Sequence, residues 1–179
     1  MLIKKILCPT DKSKNAKIGM AYAISLAREH KAELVFFHVT QFPWRTLAYS
    51  FPLDAPAVEE WRSQVTVEHL LRIAASRMEN FVQSEFGAKT LGVSWTIRIS
   101  IGKVSREIVA AALQEEADCI VMAKRKRGIL LRLLEPSVSN AVSANAPCPV
   151  LSLCPPHMEN FSSDRGMRAM RQLRTLHEF

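Results

Sequence analysis

No stretch of this 179-residue sequence approaches the roughly 18 consecutive apolar residues that a membrane-spanning helix requires. It has no CxxC spacing either. Its four cysteines, Cys8, Cys119, Cys148 and Cys154, sit in or beside apolar runs. They read as reduced, mostly buried thiols rather than disulfide or zinc ligands. Internal repeats and low-complexity tracts are absent. With 48% apolar and 23% charged residues, the chain is neither disordered, collagen-like nor a disulfide-stapled miniprotein. Gly-x-Gly-x-x-Gly and Gly-x4-Gly-Lys-Ser/Thr loops are missing, as are paired carboxylates. His30, His38, His69, His157 and His177 are dispersed, and none joins a Ser or Cys and an acid in a nucleophile motif. Cys154 and His157 alone make no metal site. Neither catalytic apparatus nor a metal is expected. The start MLIKKILCPTDKSKN puts a strand-length apolar run before polar residues without a small-residue cleavage site, so a cytoplasmic location is expected.

What is present is one soluble domain's worth of core and an uneven charge. The formal net charge is +7. Lys124, Arg125, Lys126, Arg127 and Arg132 occupy one window without an acid, and outside them 19 basic residues face 17 acidic ones. The excess is therefore a single loop. Duplex-binding proteins spread Lys and Arg along a face that tracks phosphates, and single-strand binders interleave them with aromatics. Neither pattern occurs, so nucleic acid is not the expected partner. A local anion or protein contact at Lys124, Arg125, Lys126, Arg127 and Arg132 is, with a solvated loop as the competing reading.

Along the chain, Leu2 to Cys8, Ala32 to Val39, Ile120 to Met122 and Val150 to Leu153 are near-continuous apolar runs, as in strands buried on both faces of a parallel sheet. Gly92 to Ile101 alternates and suits an edge strand. Between them the period is helical: Ala16, Met20, Ala23, Ile24, Ala27; then Val58, Trp61, Val65 and Val67 to Val82; then Ile108, Ala111, Ala112; then Val138, Ala141, Val142, capped by Ser137. The order βαβαβαβαβ predicts a three-layer, doubly wound five-stranded parallel sheet over residues 1–154. Gln41 to Pro56 is a long connection. After Pro155-Pro156, Met167, Met170, Leu173 and Leu176 oppose Arg165, Arg168, Arg171 and Arg174, which predicts a C-terminal amphipathic helix in 155–179. Ligands of such sheets sit beyond the carboxyl ends of the strands.

Over about residues 1–154, apart from the Gln41 to Pro56 connection, the sequence resembles the universal stress proteins. The resemblance rests on Ile6-Leu7-Cys8-Pro9-Thr10-Asp11, the strand ending His38-Val39, Gly102 opening the third helix, and Ala117 to Met122. It also rests on Arg132-Leu133-Leu134, Ser137-Val138 and Ala146 to Leu151. It implies an adenine nucleotide α-hydrolase-like fold, a stress-linked cytoplasmic role and a homodimer through Pro149 to Leu153. The corresponding nucleotide site would use Pro9, Thr10, Asp11, Val39, Gly102, Met122, Ala123, Lys126, Ser137 and Val138.

Some members of that family bind ATP with a Gly-x-x-Gly-x9-Gly-Ser/Thr loop. Here the spacing survives while Ala123, Lys126 and Pro136 replace the glycines. Glycine lets backbone N–H groups close round phosphate, and proline has no N–H to offer. The cradle is degenerate, so no cofactor is expected, or ATP at low affinity only. Asp11 has two readings, a ribose contact and an Asx-turn or cap for the first helix. Ser137 as a phosphate contact needs the missing loop, whereas as an N-cap it needs only the helix behind it. The leading expectation is a non-catalytic universal stress protein domain acting by partner or ligand binding. The alternative is an atypical nucleotide-binding or slowly ATP-hydrolysing member whose basic side chains hold phosphate.

Overall fold

Short apolar runs become strands here because both of their faces are covered. The computed structural model describes residues 2–40, 67–124 and 137–154. The strands are β1 (Lys5–Pro9), β2 (Glu33–Thr40), β3 (Trp95–Ile101), β4 (Cys119–Ala123) and β5 (Val150–Leu153). Between them lie α1 (Lys14–His30), α2 (Val67–Thr90), α3 (Val104–Gln114) and α4 (Val138–Asn145). All pairings are parallel, in the order β3-β2-β1-β4-β5. The alternating strand thus lies at an edge, as its pattern implied. Leu2, expected to start the first strand, is exposed, and pairing begins at Lys5. The connection Gln41 to Pro56, the start of the second helical stripe at Val58, Trp61 and Val65, and the tail 155–179 lie outside the described residues.

Alternation along each strand divides the core into two layers. Ile6, Cys8, Leu34, Phe36, Cys119 and Val121 pack with Met20, Ile24, Met78 and Val82 of α1 and α2. Leu7, Val35, Phe37, Ile120 and Met122 pack with Ile108, Ala112 and Val142 of α3 and α4. Each such aliphatic side chain contributes about 1.5–3 kcal/mol when fully buried. Phe36 meets Trp95 edge-on at 5.9 Å between ring centroids.

All four cysteines are free, but only Cys8 and Cys119 are buried; Cys148 is half-buried and Cys154 exposed. Burial pushes the Cys8 thiol up to about 12 and Cys119 to about 11. Both behave as small hydrophobes.

Candidate ligand-binding site

The helices nearest the carboxyl edge start where side-chain oxygens can meet their first amides. Ser13 caps α1, its Oγ accepting from Ala16 N at 3.2 Å. Ser137 caps α4, its Oγ accepting from Asn140 N at 3.2 Å and hydrogen-bonding Ser139 Oγ at 2.7 Å. The cap expected from Ser137 is therefore present. Asp11 takes the local form of its two readings, with Oδ1 accepting from Ser13 N at 3.0 Å in an Asx-turn. The N-cap itself is Ser13, two residues later.

Thr10 ties this turn to the sheet. Its N–H donates to the Phe37 carbonyl at 2.8 Å, its carbonyl accepts from His38 Nδ1 at 2.8 Å, and its hydroxyl accepts from Lys12 N at 3.3 Å. His38 therefore positions the first turn. Lys12 holds φ 61°, a left-handed conformation that side chains other than Gly, Asn and Asp seldom adopt.

These turns enclose a cleft of about 230 Å³ beyond the carboxyl ends of β1, β2 and β4. Phe37, Val39, Met122, Val104, Ile108 and Val138 give it an apolar floor, and Thr10, Asp11, Ser13, Asn15, Ser137 and Ser139 a polar rim. The first turns of α1 and α4 both open onto it, so two helix N-termini direct partial positive charge at one space. The cleft lies where β1 has β2 on one side and β4 on the other, the switch point of a doubly wound sheet.

Of the residues singled out from sequence, Pro9, Thr10, Asp11, Val39, Met122, Ala123, Ser137 and Val138 line this cleft. Gly102 does not. Its φ is 154°, and a Cβ there would lie 2.5 Å from Glu107 Oε1, so its glycine serves the turn into α3, where Glu107 accepts from Ser100 Oγ. Lys124 directly follows β4; Arg125, Lys126, Arg127 and Arg132 lie outside the described residues. Ser13, Asn15, Ala16, Phe37, Val104, Ile108 and Ser139 also line the cleft and were not among the candidate site residues. A cap signal at Ser13 was available in DKSKN, but Asp11 competed for it. Among the described residues no group of three or more His, Cys, Asp or Glu could hold a metal ion, and no helix is long and apolar enough to cross a membrane.

Comparison with known proteins agrees with this architecture. The model of the universal stress protein family matches residues 2–153. The chain is 30% identical over 162 residues to universal stress protein MJ0531 of Methanocaldococcus jannaschii, covering 88% of this chain and 86% of that protein. The solved hypothetical protein MJ0577 superposes with a TM-score of 0.63 at 26% identity, covering 88% of this chain and 99% of that one. A universal stress protein solved in complex with cAMP shares the fold, with a TM-score of 0.60 at 16% identity over 86% of this chain and 98% of that one.

Proposed function

Because the chain belongs to the universal stress protein family, we propose that it is a non-catalytic stress-response domain that acts by binding a ligand or partner at the carboxyl-edge cleft. The observation that carries this reading is the cleft itself. It combines an apolar floor with two helix N-termini, and holds one carboxylate and no nucleophile–base pair among its lining residues. That is equipment for holding an anion-bearing molecule rather than transforming it. The loop that would close round a triphosphate carries Lys126 and Pro136 in place of glycine, so ATP binds weakly or not at all. Thermal melting of the full chain with and without Mg-ATP tests this. A ligand at 100 times its Kd adds about 2.7 kcal/mol of stability, and a shift of that size at micromolar Mg-ATP would overturn the reading.

One observation favours a second reading, an atypical nucleotide site that holds phosphate through side chains. Lysines flank the lining residues on three loops without an ion pair to any other described residue. Its support from known proteins is the fold's occurrence with bound cAMP.

The same proposal extends to assembly and location. β5 ends the sheet with β4 on one side, and no described strand pairs with its outer edge. Pairing of two copies through Pro149 to Leu153 would cover that edge. Sedimentation at micromolar concentration should find a dimer, and a monomer would refute it. Four free cysteines fit a cytoplasmic, reducing location.

A further inference from the structure

Two cysteines sit symmetrically about the middle of the strand that ends the sheet. Cys148 is three residues before Leu151 and Cys154 three after it. Neither lies inside β5 itself, and both are free, Cys148 half-buried and Cys154 exposed.

Backbone direction along β5 fixes which residues a second copy would meet. The carbonyls of Pro149 and Leu153 accept from Ile120 N at 2.9 Å and Lys124 N at 2.7 Å, so the odd-numbered residues turn their backbone polar groups toward β4. Alternation turns those of Val150 and Ser152 outward, to the edge that no described strand pairs with. Side chains alternate as well. Leu151 and Leu153 pack on the α1–α2 layer, Cys148 and Val150 on the α3–α4 layer, and Cys154 is in phase with Cys148 and Val150.

A two-fold axis relating antiparallel strands passes between two copies of one residue. With Leu151 there, Val150 of each copy exchanges both backbone bonds with Ser152 of the other, which uses every outward group of the strand. Cys148 then lies directly opposite Cys154 of the second copy, on the same face of the sheet. A hydrogen-bonded pair of this kind has its Cα atoms about 5.5 Å apart, inside the ~4.4–6.8 Å span of disulfides. Other partners are out of reach. Within one copy, six residues of extended chain hold Cys148 and Cys154 about 20 Å apart. Cys8 and Cys119 are buried in the α1–α2 layer.

We propose that oxidation locks two copies together through two disulfides, each joining Cys148 of one copy to Cys154 of the other. This rests on the pairing through Pro149 to Leu153 proposed above. The oxidant is a peroxide. The exposed Cys154 thiol takes one oxygen atom from hydrogen peroxide to become a sulfenic acid, and one water is released. The opposing Cys148 thiol attacks that sulfur: the S–S bond forms, the S–O bond breaks, and hydroxide leaves with the thiol's proton as a second water. Each disulfide consumes one peroxide, and thiol exchange reverses it, as suits a redox-sensing link in a reducing compartment.

The test is denaturing electrophoresis without reductant, after the full chain at micromolar concentration has met hydrogen peroxide. A covalent dimer that dithiothreitol dissolves is expected. Cys148→Ser and Cys154→Ser should each abolish it, because every link needs one of each. An equal mixture of the two variants should restore it, since a mixed dimer keeps one Cys148 opposite one Cys154. A link between two copies of Cys154 would instead survive Cys148→Ser, and either that survival or a mixture that stays unlinked overturns the proposal. Cys148→Ala takes the place of Cys148→Ser if circular dichroism finds the serine variant misfolded. Sedimentation in dithiothreitol separates the two readings. A reduced dimer that peroxide does not link overturns the disulfides and leaves the β5 pairing standing, whereas a monomer that peroxide does not link overturns both.

Discussion

The two edges of the sheet treat charge in opposite ways. At the amino edge, Asp118 Oδ2 accepts from Lys4 N at 2.7 Å and Lys5 N at 2.8 Å. Lys5 Nζ lies 3.5 Å from both Glu33 and Glu115, and Glu115 in turn takes Arg98 Nε at 2.7 Å. At the carboxyl edge Asp11, Ser13 and Ser137 each accept from a backbone amide, and Lys12, Lys14, Lys103 and Lys124 make no ion pair with another described residue. The amino edge is complete without a ligand. The carboxyl edge has helix N-termini on the cleft and, among the described residues, lysines without an ion pair, as the proposed ligand site would need.

Gly19 sets how closely α1 approaches the end of β4 beneath the cleft, and replacing it is the strongest way to break the contrast. A Cβ at Gly19 would lie 3.1 Å from the backbone nitrogen of Ala123, the cleft-lining end of β4. Ala demands a shift of a few tenths of an ångström; a branched side chain demands that α1 move off β4. Gly19→Val should therefore destabilise the domain by about 2–3 kcal/mol in chemical denaturation and weaken any cleft ligand as well. A loss below about 0.5 kcal/mol would show that the two edges are not mechanically linked through α1.

The second test acts on the amino edge alone. The amides of Lys4 and Lys5 hold the Asp118 carboxyl below its ordinary value of 3.8 by hydrogen-bonding to its charged form. Its folded pKa is depressed, so its contribution is complete above the unfolded value. It is lost as the pH falls through the folded one. Asp118→Ala should cost about 1 kcal/mol at neutral pH, a figure kept small by the site's exposure to solvent. The gap between variant and parent should begin to narrow as the pH falls below about 4 and close below the folded pKa, where the parent's carboxyl is protonated and loses an interaction that the variant never makes. Cleft binding should be untouched. A variant that loses ligand affinity while staying folded would contradict the division between the edges.

How much of this was legible in the sequence follows from the range of each signal. Strands such as Leu34 to Phe37 declare themselves because both faces are buried and every residue is apolar, and α1 because Ala16, Met20, Ala23 and Ala27 repeat at helical spacing. The cleft was legible along β1, at the end of β4 and at the start of α4, where the family resemblance supplied the positions. Asn15, Ile108 and Ser139 carry no local mark of a site. They meet because the strand order is β3-β2-β1-β4-β5, a non-local fact that brings the starts of α1, α3 and α4 together. Asp118 was read only as part of a motif. Its role depends on β4 lying beside β1, which no window around Ala117 to Met122 reveals.

The smallest effect on stability, and the most selective, belongs to the run Lys124 to Arg127. Lys124 is tied to the fold only through its backbone, its N–H donating to the Leu153 carbonyl at 2.7 Å, and among described residues its side chain has no ion pair. Four adjacent cations repel one another at a cost that salt reduces without abolishing. Replacing Lys124, Arg125, Lys126 and Arg127 together by Ser removes that repulsion and leaves the backbone bond in place. The melting temperature should therefore stay level or rise slightly, a change within about 0.5 kcal/mol. Retention on heparin or phosphocellulose at low salt should fall if this run is the proposed anion contact. If the quadruple variant instead unfolds or loses the proposed dimer, these charges stabilise the fold as Lys5 and Arg98 do, and the anion-contact reading of the run is wrong.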